Sequence, residues 1–171
     1  VLATQKKYIN NIKAGRFLIS KGMTNNDIIN SIRSRNLPIK IAFNNQHSLA
    51  DLANRISTQI EANSTDLIAA FSDSGFLESN GFTNDNALAM YLPNSYEFFW
   101  NTSAITFRSR MLKEYNRFWN DKRLNRAKSI DLSPLEVMSL AAIVHEESKQ
   151  ASEQDRIAGV YLNRLKDGWP L

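Results

Sequence analysis

The sequence contains no cysteine. That excludes disulfides and thiolate metal sites, while leaving the compartment open. No run of roughly 18 apolar residues occurs, so no segment reads as a membrane span, and no signal peptide is visible. Histidine is scarce: only His47 and His145 are present. The zinc pattern H-E-x-x-H would require a second histidine at position 149, where Lys149 stands, so neither a metal site nor a cofactor is expected. No stretch of low complexity interrupts the chain.

What is present suits a folded protein. A length of 171 residues fits one domain or one and a half, and 43% apolar residues are ordinary for a globular chain. A net charge of +4 is weak evidence for a polyanionic partner. The densest basic stretch, RFWNDKRLNRAK at 117–128, reads either as an anionic-polymer site or as a solvated helix end and linker; no nucleic-acid partner is expected. The chain opens on Val1 and not on Met. It therefore reads as an excised piece, with room for a membrane anchor or signal ahead of it.

Along the chain, GRFLI at 15–19 reads as a short strand and PIKIAF at 38–43 as a second. Thr24 caps a helix carrying Ile28, Ile29 and Ile32, and Ser48 caps another carrying Leu49, Leu52, Ala53, Ile56 and Ile60. Ser64 caps a third. The Gly-, Ser-, Asn- and Asp-rich passage 72–86 reads as a loop and the best break in the chain. Pro93, Asn94 and Ser95 read as a turn among aromatics, namely Tyr91, Tyr96, Phe98, Phe99 and Trp100, which serve either as core or as a stacking face for sugars. A long helix is expected over 103–119. The fold class is α+β in two parts: a small mixed domain over 1–88 and a mainly helical domain over 89–171.

The most informative stretch is SPLEVMSLAAIVHEES. Ser133 as N-cap, Pro134 at the first helical position and Glu136 three residues after the cap make a capping box, which gives Glu136 a structural task. At about 100° per residue, Leu140 and Ile143 fall within about 40° of Glu147, whereas His145 lies about 160° away. Glu147 is thus aimed where the apolar residues are aimed. A carboxyl held against apolar surface resists ionisation and can donate a proton; the competing reading is a frayed, solvated helix end. Ser148 lacks a histidine placed to activate it as a nucleophile. Ser152 with Asp155 reads as the start of a last helix with Ile157, Val160, Tyr161 and Leu165 on one face. Gly168 ends that helix and Pro170 prevents its continuation.

These segments resemble the MltG-type (YceG-like) endolytic murein transglycosylases. The family reads A-S-I-V-E-K-E-T, then A-S-E-R, then V-A-G-V-F-I-N-R-L and G-M-x-L. Ala141–Ser148, Ala151–Asp155, Ile157–Leu165 and Gly168–Leu171 correspond. MYLPNSYEFFWNTS is similar to the family's F-P-D-T-Y passage, and KAGRFLISKGMTNNDIINSIRS to its K-x-G-x-Y-x-I-x-x-G-M segment. The style of these segments is that of a Bacteroidetes-like branch. The resemblance places the catalytic acid on Glu147. It implies Ser148, Asn163 and Tyr96 as substrate-binding residues, and a LysM-like N-terminal domain associated with glycan binding. His145 and Glu146 depart from the family's Glu and Lys.

The implied reaction is lytic cleavage of peptidoglycan between N-acetylmuramic acid and N-acetylglucosamine within the strand. The products are 1,6-anhydro ends, and strand elongation is thereby terminated. The resemblance further implies a single N-terminal inner-membrane helix, a catalytic part in the periplasm, and peptidoglycan synthases as partners. The family pattern continues past G-M-x-L, so residues 1–171 by themselves are expected to be inactive or impaired. The rival expectation is a non-catalytic peptidoglycan-binding or scaffold module.

Overall fold

The computed structural model describes residues 2–8, 10 and 12–169. The protein is α+β and mostly helical, with one two-stranded sheet among the described residues. It divides into two compact units, Val1–Leu112 and Lys113–Leu171.

In the first unit a short helix α1 (Leu2–Gln5) precedes α2 (Asn25–Ser34). Thr24 caps α2 through a reciprocal box with Asp27. Strand β1 (Pro38–Phe43) follows, then α3 (Leu49–Ser57), α4 (Ser64–Phe71) and α5 (Ser74–Ser79). Ser48 caps α3 as expected, while Asn63 caps α4 in place of Ser64. A 3-10 turn at Ala87–Met90 leads into β2 (Asn94–Phe99), and α6 (Ala104–Phe118) closes the unit and runs into the next.

β1 and β2 pair antiparallel, with Ile39 opposite Phe98 and Ile41 opposite Tyr96. This pairing corrects two expectations. The stretch 15–19 is not a strand; it runs as coil beside α2, its Arg16 carbonyl accepting from Leu37 N at 2.8 Å. The break expected at 88 falls between the two paired strands, so 94–99 belongs to the first compact unit. Nor is 72–86 a plain loop: α5 sits within it, and Leu77 and Phe82 are buried.

The free edge of β1 is managed locally. Gln59 accepts from Ala42 N at 3.0 Å and donates to Ala42 O at 3.2 Å, so a side-chain amide occupies a strand partner's place. Pro38 has no N–H to offer at the strand's start. Both devices discourage edge-to-edge association.

The sheet's inward side chains continue into an aromatic core. Phe98 stacks on Phe107 of α6 at 4.9 Å, Phe107 lies 5.9 Å from Phe71, and Phe71 lies 4.7 Å from Tyr91. Full burial of each such ring contributes about 1.5–3 kcal/mol. Arg108, itself buried, locks α6 to this core. It donates to Ala70 O at 2.7 Å, pairs with Asp73 at 2.9 Å and lies over the Phe76 ring at 3.6 Å.

The second unit comprises the end of α6, α7 (Asp121–Lys128), α8 (Pro134–Glu147) and α9 (Ala151–Lys166). Tyr115 and Phe118 each pack on Trp119. The basic stretch 117–128 is largely solvent-facing. Its Arg123 is used locally, donating to Phe118 O at 2.9 Å and lying over that ring. α8 begins with the expected capping box, Ser133 N donating to Glu136 at 2.7 Å. α9 does not begin with a Ser152 cap: Gln150 holds the cap position with no side-chain bond. It ends as expected at Gly168, whose φ of 72° permits Trp169 N to reach Arg164 O. Pro170 and Leu171 lie outside the described residues.

Candidate active site

Glu147 is the last residue of α8 and Ser148 is its C-cap. The turn between α8 and α9 is built around Ser148. Its N–H donates to Val144 O at 3.1 Å, its hydroxyl donates to Glu153 at 2.7 Å and accepts from Gln150 N at 3.1 Å, and its carbonyl accepts from Gln154 at 3.1 Å. Ser148 therefore holds the end of α8 in place, a positioning task that leaves its hydroxyl engaged.

Glu147 is exposed, and the expectation that apolar neighbours shield its carboxylate is corrected. Helical spacing was a sound guide to direction: Leu140 and Val144 on the same side are buried. Depth along the axis is a separate matter. Glu147 sits at the helix terminus, beyond the stretch of α8 that is covered. His145, expected at the surface, is half-buried.

In place of an apolar wall, Glu147 has a phenol. The Tyr161 hydroxyl of α9 donates to its Oε1 at 2.7 Å. Helical side chains lean toward the helix N-terminus, which carries the Tyr161 ring back toward the turn. The bond pushes the Tyr161 phenol above its ordinary value of 10.0, because ionisation would set a phenolate against a carboxylate. Arg164 lies 5.7 Å from the centre of the Tyr161 ring, close enough for a weak cation–π contact. Beside the pair, Lys149 bridges to Glu146 at 3.0 Å with both side chains mostly exposed, so this ion pair adds little.

Asn163 does not join the Tyr161–Glu147 pair: it is exposed and lies about 160° round α9 from Tyr161. Tyr96 belongs to the first unit. It is buried, with its ring against Phe43 at 5.9 Å and its hydroxyl donating to Leu92 O at 2.7 Å; those contacts make it a core residue. The aromatic cluster divides along β2: Tyr96 and Phe98 face in and Phe99 faces out by alternation, while Trp100 lies past the strand's end and is exposed. Tyr161 was read from the sequence only as part of an apolar face. The available signal was a hydroxyl at the position where the family pattern carries phenylalanine. Among the described residues, no three metal-binding side chains converge.

The fold and this hairpin define an α+β protein that presents one carboxylate, oriented by a phenol, at the end of a helix. The chain belongs to the YceG-like family, whose model matches residues 1–171, the same family as the MltG-type proteins whose motifs it resembles. It is similar in fold to the crystal structure of a yceG-like protein, lmo1499, from Listeria monocytogenes, with a TM-score of 0.68 and 22% identity. The match covers 98% of this chain and 62% of that one, so the chain spans about three fifths of that relative's length. No curated protein matches the sequence.

Proposed function

We propose that the protein is an endolytic peptidoglycan lytic transglycosylase in which Glu147 serves as acid and then as base. The observation that carries this reading is the family match over residues 1–171 with Glu147 at the motif position of the acid; in this chain the Tyr161 hydroxyl donates to that carboxyl at 2.7 Å. In the first half-reaction the Glu147 carboxyl gives its proton to the glycosidic oxygen, and the bond from that oxygen to the muramoyl C1 breaks. In the second, the C6 hydroxyl of the same sugar bonds to C1 and its proton returns to Glu147. Water is not consumed, so a second carboxylate to activate it is unnecessary. A hydroxyl donating to a carboxylate stabilises the anion, so Tyr161 serves the interval between the two proton transfers. The desolvation that favours the acid form must come from bound substrate, because Glu147 is exposed in the free protein.

The same proposal includes a LysM-like, glycan-binding role for the N-terminal part, in which α3, α4, α5 and a 3-10 turn lie between two antiparallel strands in the chain. It also includes an inner-membrane anchor with the catalytic part in the periplasm, and work beside peptidoglycan synthases. No helix among the described residues is long and apolar enough to cross a membrane.

The exposure of Glu147 favours a second reading, a peptidoglycan-binding module without catalysis. Mass analysis of muropeptides released by the whole protein separates the two. The enzyme yields 1,6-anhydro ends that disappear in Glu147→Gln; a binding module releases nothing and retains sacculi with either side chain.

A further inference from the structure

Charge is segregated along the chain. Residues 1–36 contain seven Lys and Arg and one acid, Asp27, whereas the remaining residues contain 14 Lys and Arg and 16 Asp and Glu. The single acid is occupied at the cap of α2. Within the basic segment, the stretch 12–21 alternates cations with large apolar side chains. Ile12 is 72% exposed, Leu18 61% and Ile19 56%, interleaved with Lys13, Arg16 and Lys21. Lys13, Arg16, Lys21 and Arg33 form no ion pair among the described residues.

This stretch is pinned by its backbone. Arg16 N donates to Asn36 Oδ1 at 2.9 Å, and Leu18 O accepts from the buried Ser31 hydroxyl at 3.1 Å. A side chain at Gly15 would strike Asn36 at 2.5 Å. Lys13 and Arg33 meet with Phe17 around a depression of about 300 Å³ lined also by Asn36 and Asn101. The fold thus holds Leu18 and Ile19 out into water on a fixed scaffold with uncompensated cations beside them.

We propose that residues 12–21, with Arg33, form a docking surface for an anionic lipid bilayer. Cations seek the phosphate headgroups, and Ile12, Leu18 and Ile19 enter the acyl boundary. A soluble polyanion such as a wall polymer would satisfy the cations and leave the aliphatic side chains in water, which is why the bilayer is the better fit. This surface owes nothing to the chemistry at Glu147 and would act whatever that residue does.

The test is co-sedimentation of the 171-residue chain with phosphatidylcholine vesicles, with and without phosphatidylglycerol. Binding is expected only to the anionic vesicles and should fall as salt rises. Charge removal, Lys13→Gln with Arg16→Gln, should weaken it by about fivefold for each cation removed. Leu18→Ser with Ile19→Ser should weaken it with the helical circular dichroism unchanged, since both side chains are exposed. Lys122→Glu with Arg126→Glu, in the other basic stretch, should leave it unchanged. Failure to bind anionic vesicles overturns the proposal. So does binding that survives Leu18→Ser with Ile19→Ser, or that is lost through the Lys122 and Arg126 variant instead.

Discussion

The two units differ in how they spend their apolar residues. Every large side chain that is completely buried, from Ile41 to Met111, lies in the first unit. The second buries Tyr115, Trp119 and Ala127 less completely, with Leu140 and Val144 of α8, and nothing in α9, whose Val160 is 58% exposed. The first unit is therefore organised around a sealed aromatic core, and the α8–α9 hairpin around polar contacts at its turn. Order at the candidate site comes from the Ser148 network and the Tyr161–Glu147 bond, not from packing density. Such a turn holds a carboxylate in place without burying it.

Substitutions should expose this difference most strongly in the core. Phe107→Ala, at the junction of Phe71 and Phe98, should cost about 3–5 kcal/mol in urea unfolding, whereas Val160→Ala should stay within about 0.5 kcal/mol. Equal effects would erase the contrast between the units.

Arg108→Met ranks next. It removes the donor to Ala70 O and to half-exposed Asp73, at a cost of about 1–3 kcal/mol. Its signature is in pH. The hydrogen bond from Arg108 is the first cause holding the Asp73 carboxyl below its ordinary 3.8. A lowered carboxyl contributes stability above its unfolded value and loses it as pH falls through the folded one. The native protein should thus weaken below about pH 4 more steeply than Arg108→Met, as read by thermal melts across that range.

Ser133→Ala should cost about 1 kcal/mol through the loss of one cap, with the α8 amides at Val137 and Glu136 showing faster hydrogen exchange. Smallest of all is the titration of Tyr161. Because its phenol is raised chiefly by the bond to Glu147, the pair's contribution is whole below pH 10.0 and fades as pH rises through the raised value. Ultraviolet titration should find this tyrosine shifted back down in Glu147→Gln.

Much of this was legible in the sequence, and the misses have physical causes. Capping residues are local signals, so Thr24, Ser48 and Ser133 were readable, as was the end of α9 at Gly168. β2 was overlooked because the exposed Phe99 and Trp100 hide the alternation of Tyr96 and Phe98. GRFLI has strand composition, yet it makes single bonds to Ser31, Asn36 and Leu37 and pairs with neither strand. The Arg108–Asp73 lock spans 35 residues, and no pattern in the sequence announces such a pair. At the site, spacing singled out Glu147, but it could not reveal that the covered length of α8 stops short of it. Nor could it show that a tyrosine 14 residues on would supply its partner.

In the proposed function the Glu147 carboxyl is the proton carrier and Tyr161 its positioning residue. The direct measurement is the rate of anhydro-muropeptide release by the whole protein carrying Glu147→Gln or Tyr161→Phe. Release should vanish in the first. In the second it should fall roughly tenfold in kcat, with KM unchanged, by loss of one orienting hydrogen bond. Release that persists in Glu147→Gln would contradict the account.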